Sequence, residues 1–289
     1  MLLGLLSTIY TSQKYVICIA MMVVLCTHGS YANTPTSPTS EGLSKHVSFE
    51  LIDGLIVVEA SIDGTLGNYI LDTGSPILVL NRMVEDREFE IWTPQGSSSG
   101  RDIEVENFRF GMVSRDKLDA WALDLSYVER QINLPLSGIV GNQIWEDHQL
   151  IIDYKRKIIT FQQEGDHVDI SSDQYHIASL PWLEHNDNLR LVELEVNGRN
   201  RLMTLDTGAS ISVLDENLED SHLTYGQARL DHVTIDRIPL KQSDLSTLNP
   251  PSSTIAVEGI LSVAALEADI VVLDFSNDRL HFCWDKVEQ

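Results

Sequence analysis

The sequence predicts an all-β protein made of two tandem copies of one unit. Three observations carry that expectation. Short apolar runs bounded by turn residues recur along the whole chain, long helical periodicity is scarce, and the two halves share motifs at matching spacings. Asp72-Thr73-Gly74 lies in "YILDTGSPILVLN" and Asp206-Thr207-Gly208 in "LMTLDTGASISVLD". Eight residues before each Asp is the Gly of a hairpin dipeptide, Asp63-Gly64 or Asn197-Gly198. Downstream, Gly138 and Gly259 each precede an Asp (Asp153, Asp274) by 15 residues, and each Asp precedes a Phe (Phe161, Phe282) by 8. Only the middle interval differs, 66 residues from Asp72 to Gly138 against 53 from Asp206 to Gly259.

Taken in order, residues 1–32 have the layout of a secretory signal peptide: Lys14, an apolar run from Tyr15 to Cys26, then Ser30-Tyr31-Ala32 as a small-x-small cleavage site. The competing reading is an uncleaved N-terminal anchor. Residues 33–45 form a Pro/Ser/Thr linker with too little apolar content to fold. The first repeat spans 46–162, a polar connector 163–174, and the second repeat 175–289. Alternating strands "LIVVEASI" and "LRLVELEV" open the repeats, and each Asp-Thr-Gly sits at a tight turn between two apolar strands. Gly96, Ser97, Ser98, Ser99 and Gly100, between "EFEIW" and "DIEVENFRF", read either as a mobile hairpin tip between strands or as an ordinary disordered loop. "GNQIWEDH" and "SVAALEAD" each read as a short helix after a glycine-led strand.

Charge and cysteine content set an address. Signal cleavage leaves 19 basic against 43 acidic residues, a net charge of −24. Such a surface repels nucleic acid and anionic lipid, which excludes both as primary partners. Cys283 is the one cysteine left after cleavage, so no intrachain disulfide is expected. An exported protein, periplasmic or secreted, with no membrane association after cleavage, fits these features.

The chemistry lies in the two aspartates. Two carboxylates about 3 Å apart share one proton, so one acts as general base on a water while the other donates to a scissile carbonyl. Thr73 and Thr207 supply hydroxyls to lock the two turns together, and Gly74 and Gly208 let the backbones pass closely. Ser75 follows the first triplet where Ala209 follows the second. A Ser75 hydroxyl on the Asp72 carboxylate would favour its ionised form, so Ser75→Ala is expected to raise the acidic limb of a pH–rate profile. Neither a metal nor a cofactor is called for: there is no His-Glu-x-x-His, no paired-Cys ligand set and no Gly-x-Ser-x-Gly elbow. His185 and Asp187 read as a solvated turn, and Asp153 and Asp274 as structural strand-end residues.

These motifs resemble the aspartic protease superfamily, most nearly bacterial retropepsin-like proteins with both halves fused in one chain. The resemblance covers about residues 46–283. It implies a bilobal acid-protease fold of two retropepsin-like lobes, a substrate cleft between them, a β-hairpin flap with Gly96–Gly100 as its tip, and Asp72 and Asp206 as the catalytic pair. It also implies an endopeptidase acting on peptide or protein substrates with apolar residues around the scissile bond, for which a monomer suffices. The family's downstream segment ends apolar-apolar-Gly. Ile139-Val140-Gly141 matches that pattern, whereas Ile260-Leu261-Ser262 has Ser in place of Gly. A second reading, a peptide-binding or regulatory module that keeps the cleft without turnover, stays open on Ser262.

Overall fold

The computed structural model describes residues 44–286 except 87, 94–95, 164–169, 185–189, 219–223 and 250–254. The signal-peptide reading (1–32), most of the linker, and the His185/Asp187 turn lie outside the described residues. The chain is all-β, with nineteen strands and one short α-helix among the described residues.

The first half runs β1 (His46–Ile52), β2 (Leu55–Ile62), β3 (Thr65–Leu71), β4 (Leu78–Asn81), β5 (Phe89–Thr93), β6 (Gly96–Phe110), β7 (Val113–Leu123), α1 (Ser126–Ile132), β8 (Gly138–Val140), β9 (Gln149–Asp153) and β10 (Ile158–Gln162). The second half runs β11 (Tyr175–Glu184), β12 (Arg190–Val196), β13 (Arg199–Asp206), β14 (Ser212–Asp215), β15 (Tyr225–Leu230), β16 (Val233–Ser243), β17 (Gly259–Ser262), β18 (Ile270–Asp274) and β19 (Arg279–Asp285).

The hairpins expected at Asp63-Gly64 and Asn197-Gly198 join β2 to β3 and β12 to β13. Both residues of each dipeptide have positive φ (50° and 75°; 52° and 77°), the backbone that matches the twist of the flanking strands. Beyond the hairpins, β8 runs parallel to β3 and antiparallel to β4. It thereby clamps both strands of the Asp72 turn. The second half repeats the arrangement, with β17 parallel to β13 and antiparallel to β14. The glycines that open β8 and β17 permit this closeness, since a Cβ on Gly138 would stand 2.0 Å from the Val79 carbonyl oxygen and one on Gly259 2.6 Å from that of Val213. Each of these strands is followed by a single 3-10 turn, Asn142–Ile144 and Ala264–Leu266, where the sequence placed short helices.

A third sheet joins the halves. Its order is β1, β10, β9, β18, β19, β11, antiparallel throughout. At its centre Ile151 pairs with Val272, its own counterpart in the repeat, so a pseudo-twofold axis passes between them. Asp153 and Asp274 end equivalent strands here. Asp153 accepts the Arg156 N–H (2.8 Å) and Asp274 the Asn277 N–H (3.2 Å), tying the tight turns into β10 and β19. The inner face of this sheet, including Leu150, Ile152, Phe161, Val271, Leu273 and Phe282, belongs to one core cluster that draws on both halves.

Two local expectations change. Gly96–Gly100 is not a hairpin tip but the first stretch of β6, paired with β5 from Thr93↔Gly96 to Phe89↔Gly100. Residues 94–95, between the two strands, lie outside the described residues. A Cβ on Gly100 would meet Leu123 Cδ2 at 2.4 Å and Phe89 Cε2 at 2.8 Å, so this glycine is needed for strand packing rather than for mobility. Trp92 lies in β5 opposite Ser97. The helix α1 was not anticipated. It buries Val128 and Ile132, four residues apart, against Leu55, Val57 and Trp121, and ends at Asn133 with φ 51°.

Candidate active site

The two Asp-Thr-Gly turns meet back to back. The Thr73 hydroxyl donates to the Leu205 carbonyl (3.0 Å) and accepts from the Thr207 N–H (3.0 Å). Reciprocally, the Thr207 hydroxyl donates to the Leu71 carbonyl (2.8 Å) and accepts from the Thr73 N–H (3.0 Å). Both threonines are buried. These four bonds span 132 to 136 residues of sequence, so they fix one half against the other at the dyad itself.

Asp72 and Asp206 are 1% and 0% exposed. Gly74 N–H donates to Asp72 Oδ1 and Gly208 N–H to Asp206 Oδ1, both at 2.7 Å. Each carboxyl also packs over the other loop's glycine. A Cβ on Gly208 would lie 2.5 Å from Asp72 Cγ, and one on Gly74 2.8 Å from Asp206 Cγ. Any larger residue at either position drives the carboxyls apart.

Burial raises both carboxyl pKa values, Asp72 to about 6 and Asp206 well above the ordinary carboxylate range. After burial, the negative charge of Asp72 is the largest influence raising Asp206. The split has a physical source. The Asp206 side chain and the N–H groups of Gly74, Ser75 and Gly208 bond the Asp72 carboxylate, while Asp206 has only Gly208 and Ala209 N–H groups in its favour. Asp206 Oδ2 is buried with no donor facing it when both groups are ionised. A proton on one carboxyl turns the Asp72–Asp206 contact into a hydrogen bond. The two titrate as a unit.

The Ser75 expectation is corrected. Its hydroxyl donates to the Ile77 carbonyl at 2.9 Å, closing the turn, and it is the Ser75 backbone N–H that favours the Asp72 carboxylate. Ala209 does the same for Asp206 through its own N–H. The two residues are therefore equivalent toward the dyad, and the reason to expect a shifted acidic limb on Ser75→Ala is gone.

Ser262 proves to be accommodated. In the first half a Cβ at Gly141 would lie 2.4 Å from the Ile77 carbonyl oxygen and 2.6 Å from that of Ser75. In the second half the Ser262 hydroxyl donates to the Ala209 carbonyl (2.6 Å) and accepts from the Ala265 N–H (3.2 Å), and the Ser262 N–H donates to the Ser212 hydroxyl (3.1 Å). The serine hydroxyl thus braces the second Asp-Thr-Gly loop with two bonds that a glycine could not make.

Sequence reasoning missed Asn142, a fully buried amide that donates to the Thr73 carbonyl at 2.8 Å and supports the first loop from below. Its signal was a polar residue directly after the apolar-apolar-Gly segment. Its counterpart in the repeat, Val263, offers the second loop only a backbone bond, N–H to the Asp206 carbonyl at 3.1 Å.

No protein-family model matches the chain, and no curated protein matches it.

Proposed function

We propose that the chain is an aspartic endopeptidase with a bilobal acid-protease fold, exported by its N-terminal segment and acting on peptide or protein substrates, for which one chain supplies both aspartates. The observation that carries this reading is the buried pair Asp72/Asp206, held by the reciprocal Thr73/Thr207 bonds and raised in pKa so that one proton is shared near neutral pH. In this reading Asp72, favoured as the ionised partner, takes a proton from a water that attacks the scissile carbonyl carbon. Asp206 gives its proton to the carbonyl oxygen, forming a gem-diol. Collapse of the gem-diol returns one hydroxyl proton to Asp206, while Asp72 passes its proton to the departing amine as the C–N bond breaks. The β5–β6 hairpin, which has no counterpart in the second half among the described residues, is the proposed flap. With Ser262 bonded as described, the observation that favoured a non-catalytic binding module no longer does so.

The test is cleavage of a mixed peptide library from pH 3 to 8 by residues 33–289, beside Asp72→Ala and Asp206→Ala. Cleavage lost by about 10³-fold or more in both variants and blocked by a statine-type inhibitor supports the reading. The rate is expected to fall about tenfold per pH unit below about pH 6, where Asp72 gains its proton. Absence of cleavage by folded wild-type protein across that range would overturn it.

A further inference from the structure

The peptide group that links Thr73 to Gly74 is hydrogen-bonded at both ends. Its carbonyl accepts from the Asn142 side-chain amide at 2.8 Å, and its N–H donates to Asp72 Oδ1 at 2.7 Å. Asn142, Thr73 and Asp72 are 0%, 2% and 1% exposed, so the whole series of amide, peptide and carboxylate lies out of water. In such surroundings hydrogen bonds in series polarise one another. A donor on the carbonyl draws electron density to the oxygen and makes the N–H of the same peptide the stronger donor. Asn142 therefore acts on Asp72 through the peptide between them.

The second half has the same peptide without the first bond. Gly208 N–H donates to Asp206 Oδ1, also at 2.7 Å, so the two donors differ in strength rather than in placement. Val263 stands where Asn142 does, directly after Ser262, and its side chain is buried in the apolar core. Among the described residues Thr207 bonds through its hydroxyl and its N–H, and no side-chain donor meets its carbonyl. The other braces of this loop do not make up the difference. Ser262 donates to the Ala209 carbonyl, whose peptide carries the Ser210 N–H, and that group is not among those bonding Asp206. Val263 N–H donates to the Asp206 carbonyl, whose peptide N–H, that of Thr207, is committed to the Thr73 hydroxyl.

We propose that Asn142 is a positioning residue that assigns the roles within the pair: through the Thr73–Gly74 peptide it holds Asp72 as the ionised, water-activating member and leaves Asp206 as the protonated one. The naming of roles rests on the endopeptidase reading, whereas the polarisation of the peptide does not. The titratable group facing Asp72 is Asp206, and the other groups bonded to its carboxylate are the N–H groups of Gly74, Ser75 and Gly208. Val140, Asn142, Ser262 and Val263, which bond the two loops from beneath, carry no charge. The asymmetry of the pair thus has a dipolar source in this layer and no ionic one.

The test uses the fact that Thr-Gly occurs in the sequence only at 73–74 and 207–208. The full chain, isotope-labelled at Thr carbonyl carbons and Gly nitrogens, gives one carbonyl–amide NMR correlation for each, and Thr207→Ser assigns them by deleting one label. In wild type near neutral pH the Thr73 carbonyl carbon and the Gly74 amide proton are expected downfield of their Thr207 and Gly208 counterparts. Asn142→Leu should bring the two correlations together and raise the titration midpoint seen at Gly74 by about half a pH unit. The acidic limb of kcat/KM should rise by the same amount, because a weaker donor lets Asp72 gain its proton at higher pH. Wild-type correlations that coincide overturn the proposal whether or not the variant folds, and so does a folded variant with lower stability but an unmoved midpoint. Cleavage whose acidic limb stays fixed in the variant sinks the role of Asn142 and leaves the peptidase reading intact. A shifted midpoint in a protein that cleaves nothing supports the hold of Asn142 on Asp72 and overturns the peptidase reading alone.

Discussion

The two halves brace the same Asp-Thr-Gly loop by different means. Behind Asp72 the backbone closes so tightly on Gly141 that a side chain has no room, and a buried amide, Asn142, holds the loop. Behind Asp206 the backbone stands back, and the Ser262 hydroxyl fills the gap with two hydrogen bonds. A second pair of equivalent positions shows the same divergence. Ser137 and Glu258 each donate a backbone N–H to the strand before the dyad, to Asn68 (2.7 Å) and Leu202 (2.8 Å). Beside them Gly67 packs directly on Ser137, whereas Arg201, 5% exposed, bonds Glu258 at 2.8 Å. Symmetry is strict where the two aspartates meet and is released one layer away, where each half needs only its own internal fit.

Exchanging the bracing residues is the strongest way to break this comparison. Gly141→Ser forces backbone carbonyls apart and is expected to cost about 3 kcal/mol or more, while Ser262→Gly loses two hydrogen bonds at about 1–2 kcal/mol. Denaturant unfolding of both variants checks this, and equal losses would mean that the two niches are alike after all. Next in size is the ion pair. Arg201→Met leaves Glu258 half-covered without its partner and should cost about 2 kcal/mol. On the other side Gly67→Ala should cost about 1–3 kcal/mol and recover when Ser137→Gly is added.

A smaller effect separates the shared dyad from paired carboxylates elsewhere. Asp72 and Asp206 have folded pKa values above the unfolded 3.8, so the folded state holds their protons more firmly. Their contribution is fully present below about pH 4; the part due to Asp72 is lost as pH rises through about 6, and the part due to Asp206 as pH rises above the ordinary carboxylate range. Asp206→Asn should therefore flatten the fall in Tm between pH 4 and 7 and raise Tm at pH 7 by roughly 5 °C, read by calorimetry. A fall as steep as that of wild type would show that the dyad does not titrate in this window. Asp124 and Asp244, which accept the N–H groups of Ser126 and Ser246, carry the opposite sign. Backbone and side-chain bonds from those serines lower their pKa values, so what they add is present above the carboxylate range and lost on acidification. The smallest expected change comes from removing these acceptors. Asp124→Ala, ahead of a seven-residue helix, should lower Tm slightly, and Asp244→Ala, ahead of a single 3-10 turn, should lower it less.

What the sequence made legible was short-range or duplicated. Asp63-Gly64 and Asn197-Gly198 announce their hairpins because the required φ angles are a property of those residues, and the two Asp-Thr-Gly copies announce a meeting because each makes sense only with the other. The Gly/Ser run at 96–100 misled because composition signals looseness, while the reason for Gly100 is a contact with Leu123 and Phe89 that no local rule contains. The Ser75 hydroxyl had two acceptors in reach, and only the turn geometry decides for Ile77. One signal was present and not used: Asp124-Leu125-Ser126 and Asp244-Leu245-Ser246 are a further repeat, marking the same position after β7 and β16. It also locates the length difference. From β4 to its partner on β7, Leu78 to Ala120 spans 42 residues, and the equivalent Ser212 to Leu240 spans 28. The first half's surplus is thus the β5–β6 hairpin.

The central sheet has a consequence for how such a chain behaves when divided. Because Ile151 faces its own counterpart Val272, the surface that β9 offers to β18 is self-complementary. A first half produced alone would expose β9 as a free edge with a full row of unpaired backbone groups. The lowest-cost way to cover that edge is a second copy of itself, docked about a true twofold. Such a homodimer would bring two Asp72-Thr73-Gly74 loops to the axis, with two identical hairpins above it. Joining two copies in one chain frees each from that identity, which is the condition for a glycine to persist at 141 while a serine occupies 262.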